Sequence, residues 1–280
     1  MEYITLNNGR RMPLLGYGVF QVSPAECERC VSDALQAGYR LIDTAQAYAN
    51  EEGVGAAVEK SGISRDELFL TTKVWISNSG EEKAAASIDE SLRKLRTDYI
   101  DLLLIHQPFG DYYGTYRAMI KALDEGKVRA IGVSNFRPDR FIDLCRSFEL
   151  KPAVNQLETN VFSQQNESRA LHAKTGTVQM AWAPMAEGAN NFFSHPVLTA
   201  IGQKYGKSAA QVGLRFLVQN GIVAIPKSTK IERMRQNIDV FDFSLSSEDL
   251  ETLKELNLTD GGTVQFTSQA FVDHILNYKV

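Results

Sequence analysis

Along this chain, short apolar runs alternate with stretches in which apolar residues recur every three or four positions. The runs fall at 15–20, 39–43, 68–73, 100–105, 129–133, 152–157, 178–183 and 222–226. Each has the length of a strand buried on both faces, as in a parallel sheet. Between them the spacing predicts helices over 24–36, 51–61, 81–95, 115–125, 138–148, 166–175, 195–205 and 208–219, with two more near 231–238 and 247–256. Ser23-Pro24 supplies an N-cap and first-turn pair for the first helix, and Gly38 stops it. Ahead of the alternation, Tyr3-Ile4-Thr5-Leu6 and Met12-Pro13-Leu14 flank Asn7-Asn8-Gly9-Arg10, a strong hairpin signal. Beyond 256 the tail reads as irregular.

Eight strand–helix units without a composition break predict a closed (β/α)8 barrel, one domain over residues 1–280, with an N-terminal hairpin and two extra C-terminal helices. An open doubly wound sheet is the rival. The length of 280 residues suits a single barrel. A hydrophobic content of 44% with 23% charged residues belongs to an ordinary soluble protein. The formal net charge of −4 argues against a nucleic-acid surface. Neither a membrane span nor a signal peptide is legible, so a cytoplasmic protein without a membrane partner is expected.

Cys27-Glu28-Arg29-Cys30 matches C-x-x-C within the first helix, but no second Cys or His pair stands near it to complete a zinc site. Core cysteines are the better reading. The four histidines are scattered without metal-ligand spacing.

The strand ends change the picture. Read in order they are Asp43, Lys73, His106, Ser134-Asn135, Gln156, Trp182 and Lys227, each a polar or aromatic residue after an apolar run. In α/β barrels the chemistry sits at that rim. Asp43 at the end of a buried strand needs a cation, and Lys73 is the obvious one. Tyr48 follows in a small-residue loop. A lysine beside it would favour the phenolate and lower a pKa otherwise near 10. Asp43 would then hold the lysine, and His106 would offer a second hydrogen bond to a substrate oxygen. Taken alone, Asp43 and Lys73 read somewhat better as a structural ion pair.

Farther on, Lys227, Lys230, Arg233 and Arg235 put four cations in nine residues at a helix start, beside Ser228 and Thr229. That pattern suits an anionic ligand, or else a solvated basic face. Trp182 suits stacking on a flat ring, or core packing. Gly16-Tyr17-Gly18 lacks the third glycine of a dinucleotide fingerprint, and Gly132-Val133-Ser134-Asn135-Phe136 ends in Phe where a nucleophile elbow needs Gly.

Together these segments resemble the aldo-keto reductase superfamily over nearly the whole chain. Asp43-Thr44-Ala45-Gln46-Ala47-Tyr48-Ala49-Asn50-Glu51 is similar to its D-T-A-x-x-Y-G-N-E segment. Lys73-Val74-Trp75, Leu104-Ile105-His106, Gly132 to Phe136, Asn155-Gln156 and Ile225-Pro226-Lys227-Ser228 match further segments in order. The subgroup it most resembles is the bacterial reductases of diketogluconate type.

The resemblance implies an NADPH-dependent reductase of small carbonyl compounds, monomeric by family habit. It implies a tetrad of Asp43, Tyr48, Lys73 and His106, with Tyr48 as general acid. Ser134, Asn135 and Gln156 would bind the nicotinamide carboxamide, and Trp182 would stack on its ring. Lys227, Ser228 and Arg233 would hold the 2′-phosphate, with Gln236 and Asn237 near the adenine. Ala183, Pro184, Met185, Ile225, Pro226 and Thr229 would complete the cofactor contacts.

Phe20, Trp75 and Gln107 would line the substrate pocket. Phe20 stands where many members carry Trp, and Gln107 where the family commonly has Trp. The tail Gly261-Gly262-Thr263-Val264-Gln265-Phe266 lacks the usual ending. Fewer pocket aromatics suggest a more polar site for small dicarbonyls or keto-sugars. Two other readings remain at this stage: a slow cofactor-binding redox sensor or structural subunit, and a barrel enzyme for a phosphorylated sugar.

Overall fold

The computed structural model describes residues 1–278 apart from 260, 265 and 267. β1 (Tyr3–Thr5) and β2 (Arg11–Pro13) form the antiparallel hairpin, turning through Gly9 at φ +82°. Eight parallel strands follow: β3 (Tyr17–Gly18), β4 (Leu41–Asp43), β5 (Phe69–Val74), β6 (Leu102–Ile105), β7 (Ile131–Ser134), β8 (Val154–Glu158), β9 (Val178–Trp182) and β10 (Val223–Ala224). They pair in sequence order from β3 to β10. Leu15 then bridges Ala224, and the Gly16 N–H donates to the Ala224 carbonyl at 2.8 Å. The sheet is therefore a closed ring, which removes the free edges of an open sheet. The doubly wound alternative is excluded.

Helices α1 (Pro24–Gln36), α2 (Glu51–Lys60), α3 (Glu81–Leu95), α4 (Tyr112–Asp124), α5 (Pro138–Ser147), α6 (Asn166–Thr175), α7 (Pro196–Tyr205), α8 (Ala209–Gln219), α9 (Ile231–Ile238) and α10 (Ser247–Lys254) follow the alternation. Their apolar stripes meet the strands in one core: Val31, Ile88, Met119, Leu144 and Leu217 are buried together with Leu102 to Leu104. Burial on both faces is why the strands read as unbroken apolar runs. The paired ladders are shorter than those runs. The first run, 15–20, pairs regularly only at Tyr17–Gly18, although the Val19 N–H still donates to the Asp43 carbonyl at 3.0 Å. Ser23 does stand before α1, but its hydroxyl pairs with the Glu26 carboxylate at 3.2 Å rather than capping a backbone N–H.

Cys27 and Cys30 are free, fully buried residues of α1, and burial pushes the Cys27 thiol up to about 12. They are core residues. The tail departs from expectation. Ser268 caps a further helix, α11 (Gln269–Asn277), by accepting from the Phe271 N–H at 3.2 Å. This helix buries none of its residues fully. It lines the barrel mouth and does not cover a strand. In the preceding tail, Gln265 lies outside the described residues.

Close packing around the ring depends on specific small residues. A Cβ on Gly55 of α2 would overlap the Lys94 carbonyl oxygen and the Leu95 backbone at the end of α3. Backbone cannot swing aside as a side chain can. Gly55→Ala is therefore expected to lower unfolding free energy by about 1–3 kcal/mol, the usual cost of overpacking. Gly62→Ala, with open space around it, is the comparison for urea denaturation, its own cost coming only from a φ of +68°. Equal or smaller loss at Gly55 would contradict this packing.

Candidate active site

Asp43 is the last residue of β4, and the chain turns back at once through a short helical turn at Gln46–Tyr48. Ala49 follows at φ +53°, and the Asn50 side chain ties the loop down. Its amide donates to the Val19 and Val22 carbonyls at 3.0 and 3.1 Å and accepts from the Thr44 hydroxyl at 2.8 Å. Tyr48 is thereby returned over the strand end that carries Asp43. On β5, Lys73 sits beside Leu104 of β6, and His106 follows β6 with its N–H on the Val74 carbonyl at 3.1 Å. Strand register thus brings residues from three elements together.

Lys73 is fully buried and donates to Asp43 Oδ1 at 2.6 Å and to the Thr44 carbonyl at 2.8 Å, with the Tyr48 hydroxyl 3.4 Å away. The other carboxylate oxygen of Asp43 accepts from Gln156 Nε2 at 2.8 Å. The Tyr48 and His106 ring centroids lie 5.5 Å apart, and Trp75 stands edge-on to His106 at 5.0 Å. Asp43, Tyr48, Lys73 and His106 form one cluster.

Burial would push the Lys73 ammonium down, but the Asp43 carboxylate, with the Tyr48 hydroxyl beside it, outweighs burial and holds the lysine above its ordinary range. Burial pushes Asp43 up, opposed by Lys73 and by the Gln156 amide. Burial and the adjacent ammonium hold the His106 imidazole well below its ordinary value, so the ring is neutral. Its Nδ1 is buried without a partner among the described residues. Tyr48 requires a correction. Lys73 acts in the expected downward sense, but burial is larger and Asp43 adds to it, so the hydroxyl lies above 10. At neutral pH Tyr48 is therefore a protonated phenol.

Beside the cluster lies a second network. Asn135, in the left-handed region at φ +64°, donates to the His106 carbonyl at 3.1 Å and to Ser134 Oγ at 3.2 Å. It accepts from the Trp182 indole N–H at 3.0 Å. The Ser134 hydroxyl donates to the Gln156 carbonyl at 3.0 Å. Ser134, Asn135, Gln156 and Trp182 are therefore coupled to Asp43 through Gln156 and to His106 through Asn135.

All of this opens into a cavity of about 760 Å³ at the C-terminal ends of the strands. Asp43, Tyr48 and His106 face it, while Lys73 lies behind them. Ser134, Asn135, Gln156, Trp182, Ala183, Pro184, Met185, Ile225 and Lys227 line one side, and Phe20, Trp75 and Gln107 also line it. Pro226, Ser228, Thr229, Arg233, Gln236 and Asn237 do not. Lys227, Lys230, Arg233 and Arg235 are exposed, and none makes an ion pair among the described residues. The nearby pairs are instead Lys207 with Asp239 and Asp242.

Sequence reasoning missed the outer wall. Phe266 packs on Trp182 at 6.0 Å, and Tyr278 stands edge-on to Trp75 at 5.6 Å. Phe271, His274 and Ile275 of α11 line the cavity with them, as does Phe193 from the irregular segment before α7. Glu158, at the end of β8, anchors the approach to α11 by accepting from the Thr263 N–H at 2.5 Å. These aromatics make the outer cavity apolar, not the more polar site that Phe20 and Gln107 suggest. The Phe266–Phe271 pair in the tail was the available signal, but it has no strand or helix period.

The family model of the Aldo/keto reductase family matches residues 14–258. Among curated proteins, the glyoxal reductase of Bacillus subtilis (strain 168) is 45% identical over 258 residues, 91% of this chain and 93% of that protein. Among solved structures, a putative 2,5-diketo-D-gluconic acid reductase B superposes with a TM-score of 0.90 at 40% identity, covering 94% of each chain. An aldo-keto reductase of Bombyx mori, solved in complex with NADP, superposes with a TM-score of 0.86 at 35% identity over 91% of this chain and 92% of that one.

One electrostatic consequence is directly measurable. Behind the strands, burial holds His172 at about 4, with Nε2 3.0 Å from the Asn155 amide. An unfolded histidine titrates near 6.5. As pH falls below that value the unfolded chain takes up the proton first, so stability drops between about 6.5 and 4 and levels off below. By pH 5, His172 alone should remove roughly 2 kcal/mol relative to pH 7. His106 acts in the same direction. NMR should show the His172 ring titrating near 4; titration at 6 or above would contradict its burial.

Proposed function

The chain belongs to the aldo/keto reductase family, and from that premise we propose that it is an NADPH-dependent reductase of small carbonyl compounds with Tyr48 as general acid. The observation that carries this reading is the Asp43–Lys73–Tyr48 chain beside a neutral His106 at the base of the cavity. A protonated phenol has a proton to give, and a buried ammonium 3.4 Å away stabilises the phenolate left behind. Asp43 keeps that ammonium charged and in place. The uncharged imidazole of His106 orients the carbonyl oxygen by a hydrogen bond without competing for the proton.

The residues present fit the cofactor. Trp182 offers a partly exposed ring face with its N–H already satisfied. Ser134, Asn135 and Gln156 form a polar group beside it that suits a carboxamide. Lys227 reaches the cavity, and Arg233 and the N-terminus of α9 present cations and N–H groups suited to a 2′-phosphate, while the buried Ser228 hydroxyl pairs with the Lys230 backbone and would hold that turn in place. Gln236 and Asn237 of the same helix would face the adenine, with Thr229, Pro226 and residues 183–185 completing the site. When bound, NADPH supplies the hydride that reaches the carbonyl carbon. Every group in this reading comes from a single chain, so a monomer suffices.

Tyr48→Phe is expected to lower turnover of an aromatic aldehyde by about 10²–10⁴-fold, the usual worth of a positioned acid. NADPH affinity, followed by quenching of tryptophan fluorescence, should stay unchanged. Wild-type turnover in this variant would remove Tyr48 from the role. Arg233→Ala is expected to weaken NADPH binding by roughly 10–100-fold, as for a lost charge-assisted hydrogen bond, and NADH binding far less. An equal loss for both would remove the 2′-phosphate assignment.

A further inference from the structure

One buried side chain beside the barrel mouth spends all of its hydrogen bonds on protein and takes no part in lining the cavity. Gln46 opens the short turn that ends in Tyr48 and is 5% exposed. Its Oε1 accepts from the Trp75 backbone N–H at 3.0 Å and from the Asn78 amide at 2.9 Å. Its Nε2 donates to the Ser91 hydroxyl at 3.1 Å and to the Ser87 carbonyl at 3.2 Å. These two donors and two acceptor sites are all that a primary amide has. Trp75 and Asn78 belong to the connection between β5 and α3, and Ser87 and Ser91 are buried on α3. The D-T-A-x-x-Y segment leaves position 46 open, so this clamp comes from the glutamine of this chain and not from the shared segment.

Gln46 thus ties the turn that carries Tyr48 to the connection that carries Trp75, and both to α3. Because Trp75 stands edge-on to His106 at 5.0 Å, the clamp also fixes the gap between the phenol and the imidazole. A second bridge spans the same gap: the Trp75 indole N–H donates to the Tyr278 carbonyl at 2.9 Å, and the Tyr278 hydroxyl to the Ala47 carbonyl at 3.3 Å. That bridge is only partly buried and comes from the last described residue, whereas three of the four Gln46 bonds are buried. Without Gln46 the buried Trp75 N–H loses its acceptor, a cost that the turn relieves only by moving. We infer that Gln46 is a positioning residue for proton transfer, holding the Tyr48 hydroxyl in line with the carbonyl oxygen. In that step the Tyr48 O–H bond breaks and its proton bonds to the oxygen as the carbon accepts hydride from NADPH. The alcohol, the Tyr48 phenolate and NADP+ remain. The inference rests on the carbonyl-reductase reading.

The test is single-turnover reduction of benzaldehyde with NADPH, in H2O and in D2O, for the wild type, Gln46→Met and Gln46→Leu. Two variants guard against one that fails to fold. The rate constant is expected to fall by about 10–100-fold in both, the scale of a misplacement near 1 Å. The solvent isotope effect should rise, because proton transfer has become slower, while NADPH affinity by tryptophan fluorescence stays as in the wild type. A merely smaller folded fraction lowers the amplitude and moves neither the rate constant nor the isotope ratio. Without cofactor, hydrogen exchange at the Trp75 backbone N–H should quicken by roughly 10-fold, its acceptor being gone. An unchanged rate constant, an unchanged isotope effect, unchanged Trp75 protection, or a loss of NADPH affinity matching the loss of rate each overturns the inference. Absence of turnover in the wild type on both benzaldehyde and methylglyoxal removes the reductase reading and this inference with it. Wild-type turnover beside unchanged variants removes the inference alone.

Discussion

A fully buried ammonium and a fully buried carboxylate, 2.6 Å apart, are the constraint on which this barrel mouth depends. Neither charge has water to solvate it, so each is tolerable only while the other is in place. Removing one partner of such a pair typically costs about 3–5 kcal/mol. The pair therefore locks β4 to β5 at one register, and with them the loop that carries Tyr48. Because the sheet closes, the second oxygen of Asp43 also meets Gln156 of β8, 113 residues farther along the chain. An open sheet has no such neighbour to offer. The same carboxylate thus holds a charge for chemistry and ties two sides of the ring together.

From that point the polar contacts spread around the rim. Gln156 leads to Ser134, Asn135 leads to the His106 carbonyl, and Trp182 closes the path by donating to Asn135. Nearly every polar atom on this floor is used. The outer wall is built in the opposite way. Trp75 and Tyr278 turn their polar atoms onto the backbone carbonyls of Tyr278 and Ala47, and with Phe271 of α11 they present carbon to the cavity. A polar, pre-organised floor under an apolar roof favours charge transfer at the base and exclusion of water above it. Gln107 is the exception in that roof.

Much of this was legible beforehand because it follows from local rules. Apolar runs of strand length alternating with helical periods mark a parallel barrel, and residues ending those runs fall on one rim whatever the details of packing. Asp43, Lys73, His106, Ser134, Asn135, Gln156 and Trp182 could be read this way, and Tyr48 by its place in the loop after Asp43. The helix α11 could not. It packs on the finished mouth and not on a strand, so its pattern answers to a surface that exists only once the ring has closed. Arg233 was legible in a basic helix start and Gln236 and Asn237 only through the family resemblance, but that none of the three lines the cavity was not legible.

By itself, then, the sequence determined the order of elements, the closed α/β architecture and the residues available at the strand ends, because hydrophobic period and turn chemistry act over a few residues at a time. Only the tertiary structure decided the upward direction of the Tyr48 shift, the apolar character of the outer pocket and the Oε1 of Gln107 left unpartnered among the described residues. Each of these is set by how deeply a group is buried and by what approaches it from segments far along the chain. Desolvation is a property of the assembled site. A lysine beside a tyrosine can be inferred from spacing, but whether burial outweighs that lysine is settled by the surroundings both share.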